Sequence, residues 1–160
     1  MPYYIVQIYY ARKNYDEVLT RANALLEADP DNQNNAELHR MLGEIYYQRS
    51  QYDEAQHHLE RYESWINTIN SGDEYSKNKP QKPLELERND MYLLGMTYYK
   101  TEQPKKAIEY LKKVKTQNDT ISESTLMTLG NIYIDLHNIE TAKLNIARSE
   151  ERRVGKECRS

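Results

Sequence analysis

The sequence predicts an all-α fold, a solenoid of about four stacked helical hairpins. A Leu-Gly pair with Tyr three residues after the Gly occurs three times, around Gly43, Gly95 and Gly130. Each Gly is followed by Ala after twelve residues and by a large aliphatic residue after sixteen, which gives the pairs Ala55 and Leu59, Ala107 and Leu111, and Ala142 and Ile146. Gly95 and Gly130 are 35 residues apart, and self-similarity at this period is typical of helical repeat proteins.

The composition of the 160 residues excludes several classes of protein. The mean hydropathy of -0.98 is low, but the Tyr, Leu and Ile content is too high for a disordered chain. No run approaches the ~20 apolar residues that a membrane-spanning helix needs. The net charge of -3 argues against a nucleic-acid binder that neutralises phosphates. The one cysteine, Cys158, cannot form an internal disulfide.

Within one repeat, the pattern predicts two helices joined by a short turn. Apolar residues four apart share one face of the first helix, a polar segment interrupts this spacing, and Ala55 and Leu59 then mark the second helix. Gly in a helix interior costs roughly 1 kcal/mol relative to Ala, so Gly43 and its equivalents require a packing reason. Close crossing of the two helices provides that reason. We therefore predict that Gly95→Leu destabilises the array by overpacking.

Taken in order, the repeats span about residues 1–34, 35–70, 84–119 and 122–147, and the last one is truncated. The first repeat matches less well, because Val6 stands in the Gly position and Val18 in the Ala position. Pro104 fits the first turn of a helix, where its missing N–H breaks no hydrogen bond. Residues 71–83 carry Gly, Pro and charges, and they are predicted to form a loop insertion. The pattern gives eight helices, at about 2–13, 15–28, 35–49, 52–70, 84–101, 104–116, 122–136 and from 139 onward.

These repeated residues resemble the tetratricopeptide repeat family over residues 1–147. The family pattern is Leu-Gly-x-x-Tyr, an Ala eight or nine residues beyond the Tyr, and then a large apolar residue, and three of the repeats match it well. The resemblance implies a right-handed solenoid whose first helices line a concave groove for a peptide or helix of a partner. It also implies a scaffold without turnover, of a kind common in larger bacterial proteins.

The resemblance places three positions of each first helix in that groove, namely one and four residues after the Gly and three residues before it. The resulting partner-binding candidates are Tyr3, Gln7, Tyr10, Arg40, Glu44, Tyr47, Tyr92, Met96, Tyr99, Met127, Asn131 and Ile134. Tyr and Met suit this role because both give a large contact area and Tyr keeps a polar tip. A second series, Tyr9, Tyr46, Tyr98 and Tyr133, occupies the family's packing position and is expected to lie largely in the core.

The last 13 residues, 148–160, read RSEERRVGKECRS and resemble the translation of a sequencing adapter. They interrupt the fourth repeat soon after Ile146. We therefore expect an artefactual tail on a fragment of a larger protein. Without that tail the net charge falls to -5, because the tail carries five basic and three acidic residues, and the lone Cys158 is lost with it.

The sequence offers no pattern for an active site, a cofactor site or a metal site. Asp53 and His57 lie four apart but lack a third ligand, so His57 and His58 are expected to be exposed, and His39 and His137 to be isolated. We therefore expect a scaffold rather than an enzyme, with a protein or peptide as its partner. The alternative is a regulatory or sensory arm of a multidomain enzyme or signalling protein whose catalytic domain lies outside this sequence. The compartment, cytoplasm or bacterial periplasm, and the oligomeric state stay open.

Overall fold

The computed structural model describes residues 2–32, 34–72 and 84–157, with side chains to residue 155. These residues form seven helices and no strand, which confirms the all-α fold of helical hairpins. The helices are α1 (Tyr3–Ala11), α2 (Tyr15–Ala28), α3 (Asn35–Gln48), α4 (Tyr52–Ser71), α5 (Arg88–Lys100), α6 (Pro104–Leu111) and α7 (Thr120–Glu157). Most of the predicted insertion at 71–83 lies outside the described residues.

The chain divides into two compact units, Met1–Lys115 and Thr116–Ser160. The first, which we call the N-terminal unit, contains three hairpins: α1 with α2, α3 with α4, and α5 with α6. Neighbouring hairpins pack through α2 on α3, α4 on α5, and α3 on α5. The second, the C-terminal unit, contains α7. In the part of the chain that is described, none of these helices combines the length and the apolar character needed to cross a bilayer.

The three hairpin turns share one backbone conformation. The residue seven positions after the Gly site has a positive φ in each, 57° at Lys13, 60° at Ser50 and 59° at Glu102. The next amide donates to the carbonyl five residues earlier: Asn14 to Tyr9 at 2.9 Å, Gln51 to Tyr46 at 2.9 Å and Gln103 to Tyr98 at 2.8 Å. In each hairpin the first helix ends at the residue with the left-handed φ. The hydrogen bond from the next amide to the carbonyl five residues earlier closes this turn and reverses the chain.

Close approach of the two helices explains the glycines of the second and third repeats. A Cβ atom built on Gly43 would lie 2.6 Å from Cγ of Leu59, and one on Gly95 would lie 2.6 Å from Cγ of Leu111. Both distances are about 1 Å shorter than a normal carbon contact. Leu59 and Leu111 are almost fully buried, so neither has room to move away. The glycines are therefore required by the second helix of their own hairpin.

In each hairpin of the N-terminal unit, the tyrosine three residues after the Gly position packs on a side chain of the second helix. That side chain lies three positions after the small residue that follows the Gly position by twelve. The ring of Tyr46 stacks on His58 with centroids 5.4 Å apart, and Tyr98 lies 5.4 Å from Tyr110. In the first repeat the Arg21 guanidinium lies 4.9 Å above the ring of Tyr9. Tyr98 is 3% exposed, as expected for a core residue, while Tyr9 and Tyr46 are half-buried.

Polar bonds from α4 join the second hairpin to the third. Glu60 accepts a hydrogen bond from the Tyr98 hydroxyl at 2.8 Å, and the Glu63 carboxylate accepts from Tyr110 at 2.6 and 2.7 Å. Burial, followed by the hydrogen bond to the carboxylate, raises the pKa of both tyrosines. Both phenols therefore stay protonated and donate to a charged acceptor, the stronger class of hydrogen bond.

The fourth hairpin is the main difference from the sequence prediction. Residues 120–157 form one uninterrupted helix, so the turn predicted between the helices at 122–136 and from 139 onward is absent. Tyr133, expected in the core, is 45% exposed. The segment between Leu136 and Glu140 contains no Gly or Pro, so the helix can continue through it with its backbone hydrogen bonds intact.

Candidate functional site

The candidate site of the N-terminal unit lies on the first helices α1, α3 and α5. Tyr10 on α1 donates a short hydrogen bond to the Glu44 carboxylate on α3, which joins two helices from neighbouring repeats. Arg40, one turn before Glu44, places Nη1 3.9 Å from that carboxylate. Its Nε lies 3.0 Å from both carboxylate oxygens of Glu37. The two acids hold the guanidinium in one orientation, with a quarter of the side chain exposed.

Tyr3 and Gln7 extend this group along α1. Gln7 Nε2 donates to the Tyr3 hydroxyl at 3.2 Å. Burial, together with the negative charge of Glu37, raises the pKa of Tyr3 to about 12. Burial and the bond to Glu44 also raise the pKa of Tyr10. The Tyr3 hydroxyl accepts from Gln7 and can donate its own proton, whereas the Tyr10 proton is donated to Glu44 and its oxygen can accept a further hydrogen bond.

A second aromatic group lies where α3 meets α5. The rings of Tyr47 and Tyr52 meet edge to face, with centroids 5.6 Å apart. Burial, and then the neighbouring phenols of Tyr92 and Tyr52, raise the pKa of Tyr47 to about 12. Lys100 Nζ lies 5.9 Å from the ring centres of both Tyr52 and Tyr99. The structure therefore brings Tyr47, Tyr92 and Tyr99 to one region of the molecule.

The remaining candidates differ from this arrangement. Met96 is only 7% exposed, so it presents little surface to a partner, contrary to its expected place in a groove. Met127, Asn131 and Ile134 are exposed on α7. They belong to the C-terminal unit, whereas the candidates on α1, α3 and α5 belong to the N-terminal unit.

The candidate set did not include a buried acid beside this surface. Asp90 is nearly inaccessible, accepts the Glu87 amide at 3.1 Å, and receives the Tyr62 hydroxyl at 3.5 Å. Burial raises the pKa of Asp90, and the hydrogen bond from the Glu87 amide and then the positive charge of Arg40 partly oppose that shift. Glu87 and Asp90 form a capping box at the start of α5, and the Glu-x-x-Asp spacing is a sequence signal that could have identified it. The approach of Tyr62 from α4 is a tertiary contact without a sequence signal.

The histidines also differ from expectation. His39 on α3 and His58 on α4 are both 8% exposed, and their Nδ1 atoms are 2.9 Å apart, so His39 is not isolated and His58 is not a surface residue. His57 is exposed, as expected. Burial lowers the pKa of both paired rings to about 4, so both are neutral near pH 7. One Nδ1 then donates its proton to the other.

The paired histidines line a shallow cavity of about 220 Å³. It is lined by Asn23, Leu26, Glu27, Pro30, His39, His57, His58 and Arg61. Across the described ranges, no three His, Cys, Asp or Glu side chains come together in a way that could hold a metal ion.

Comparison with known proteins identifies one segment. Residues 91–119, which contain most of α5 and all of α6, match the family model described as Tetratricopeptide repeat. No curated protein and no solved structure matches the chain. Tetratricopeptide repeats are typically modules of protein–protein interaction, and an all-α hairpin with close helix crossing at Gly95 agrees with this match. The match and the geometry therefore identify residues 91–119 as a tetratricopeptide repeat segment.

Proposed function

We propose that this chain is a protein-interaction scaffold that binds a peptide or helix of a partner on what we call the first-helix face. This face consists of Tyr3, Gln7, Tyr10, Arg40, Glu44, Tyr47, Tyr92 and Tyr99 on α1, α3 and α5. The observation that carries the proposal is the hydrogen bond from Tyr10 to Glu44. It joins the first helices of two repeats and supports a binding surface that continues from one repeat to the next.

The chemistry of this face suits a peptide. Its tyrosines offer large rigid rings with a polar tip, and such residues often contribute most of the binding free energy of an interface. The Tyr3 hydroxyl can donate to a peptide carbonyl, whereas the Tyr10 hydroxyl, which already donates to Glu44, can accept from a peptide amide. Arg40 is already oriented by Glu37 and Glu44, so binding would cost less side-chain entropy than for a free arginine.

A binding experiment with matched variants tests this proposal. Peptides selected from a displayed random library on the wild-type chain are titrated by calorimetry against the double variant Tyr47→Ala, Tyr99→Ala. We expect an affinity loss of at least ~10-fold, equivalent to about 1.4 kcal/mol. The control is Tyr4→Ala, because Tyr4 is an exposed tyrosine on α1 outside the proposed face. Its affinity should match the wild type.

Two further results decide the interpretation of that titration. Circular dichroism and thermal unfolding of the double variant should remain close to wild type, so that the loss of affinity reports the surface and not the fold. Equal affinities of the wild-type chain and a folded double variant would contradict the proposal.

A further inference from the structure

The first helix of each hairpin in the N-terminal unit carries two positions whose burial differs between repeats. They lie two residues before and two residues after the Gly position. In α3 and α5 both positions are buried, with at most 6% of any residue exposed: Met41, Ile45, Leu93 and Thr97. In α1 the same positions hold Tyr4 and Ile8, which are 59% and 46% exposed. Equivalent side chains are therefore covered in two repeats and open to solvent in the first.

The second helix of the preceding hairpin accounts for this difference. α1 has a second helix of its own and a hairpin after it, and both leave Tyr4 and Ile8 exposed. α3 and α5 have in addition the second helix of the hairpin before them, because α2 packs on α3 and α4 packs on α5. Met41 and Ile45 accordingly share one core cluster with Ala22 of α2. A second helix from the preceding hairpin is therefore what buries these two positions.

The composition of α1 suits a covered helix and not the end of an array. Terminal repeats that cap a solenoid carry a polar outer face. α1 (Tyr3–Ala11) contains no charged residue, in a chain of which 29% is charged. Tyr4 and Ile8 are four residues apart and share one side of the helix. They form what we call the outer side of α1, a large apolar surface like that of Met41 and Ile45 on α3.

We propose that the outer side of α1 is the docking surface for a further helical hairpin of the same type, which precedes α1 in the natural polypeptide and packs its second helix on Tyr4 and Ile8. The structure contains this arrangement twice, as α2 on α3 and as α4 on α5. The inferred contact continues an interface that already joins the hairpins of the N-terminal unit. It does not depend on the first-helix face, because neither Tyr4 nor Ile8 belongs to that face.

A chain extended by its own first hairpin tests whether the outer side of α1 accepts such a neighbour. Residues 1–37 are duplicated in front of Met1, so that the two copies of Val6 are 37 residues apart, as Val6 and Gly43 are. The copy of α2 then precedes α1 as α2 precedes α3. Ile8→Glu in the original α1 should lower the urea midpoint of this extended chain by roughly 0.5 M or more, because a buried unpaired charge is costly. The same substitution should leave the midpoint of the 160-residue chain unchanged, because Ile8 is exposed there.

A matched control separates this contact from a general effect of added charge. Ala24→Glu introduces the same charge at an exposed residue of α2 and should leave both midpoints unchanged. The helix content measured by circular dichroism should rise with the added residues. An equal effect of Ile8→Glu in the two chains would overturn the proposal, and so would an extended chain whose helix content does not rise.

The source DNA tests whether the neighbour belongs to the same polypeptide. The reading frame upstream of the Met1 codon should encode a hairpin with the repeat pattern, in which an Ala or another small residue follows the Gly position by twelve. An in-frame stop codon between such a hairpin and Met1, or an upstream frame without that pattern, would overturn the proposal even if the extended chain behaves as expected.

Discussion

The most specific consequence of the hairpin packing concerns two glycines with opposite surroundings. Gly95→Ala adds a Cβ atom 2.6 Å from Cγ of the buried Leu111, and only a shift of α5 against α6 can relieve that contact. Gly130→Ala adds the same atom where nothing lies within 4 Å. Both glycines are inside helices, so both substitutions remove the same conformational penalty.

The magnitudes follow from two opposing terms. Replacing a helical Gly by Ala stabilises by about 1 kcal/mol, whereas overpacking a tight contact destabilises by about 1–3 kcal/mol. Gly95→Ala should therefore lower the free energy of unfolding by about 1 kcal/mol, and Gly95→Leu should lower it further. Gly130→Ala should raise the free energy of unfolding by up to about 1 kcal/mol. The difference between the two alanine variants isolates the overpacking, because the helix term is common to both.

Urea unfolding followed by circular dichroism measures this difference. The account predicts a lower midpoint for Gly95→Ala and a higher midpoint for Gly130→Ala, each relative to wild type. Equal midpoints for the two variants would refute the packing explanation for the repeated glycines.

Three further predictions concern the turns, the histidine pair and the contacts between hairpins. Glu102→Gly should stabilise the chain by about 0.5–1 kcal/mol in urea unfolding, because Gly adopts the left-handed φ of 59° without a Cβ clash; a loss of stability would contradict this. The stability contributed by neutral His39 and His58 should be fully present above pH 6.5 and lost as the pH falls towards 4, because the unfolded chain takes up these protons at higher pH than the folded chain. The double variant with both histidines changed to Leu should lose less stability over that interval, and an equal loss would contradict the assignment. Tyr98→Phe should cost about 1–2 kcal/mol, because it removes the hydrogen bond to Glu60, and an unchanged unfolding midpoint would contradict this.

The sequence predicted the hairpins because their determinants are local and repeated. Gly43 and Gly95 each come with Ala after twelve residues and Leu after sixteen, and the structure places those residues in contact within one hairpin. The same pattern at Gly130 predicted a fourth hairpin, and that prediction was wrong for this structure. The pattern specifies which faces are complementary, but it does not specify whether the chain turns between them. A segment that is also favourable as a continuous helix can leave the two faces apart.

The sequence predicted which residues of the candidate site lie on the first helices, but it did not predict which of their side chains touch. Repeat spacing identified Tyr10 and Glu44 as residues of the first helices, but their hydrogen bond joins positions 34 apart and depends on how two repeats stack. The pair of His39 and His58 depends in the same way on tertiary packing. For Met96 the repeat position predicted an exposed side chain, but neighbouring residues bury it.

The central claim, that the first-helix face binds a peptide, is tested most directly by NMR of a chain labelled at its tyrosine rings. All 15 aromatic residues other than the single Trp are tyrosines, so the spectrum reports the chain throughout. The account predicts that a selected peptide shifts the ring signals of Tyr3, Tyr47 and Tyr99 and leaves that of Tyr4 unchanged. Shifts confined to tyrosines outside the first-helix face would contradict it.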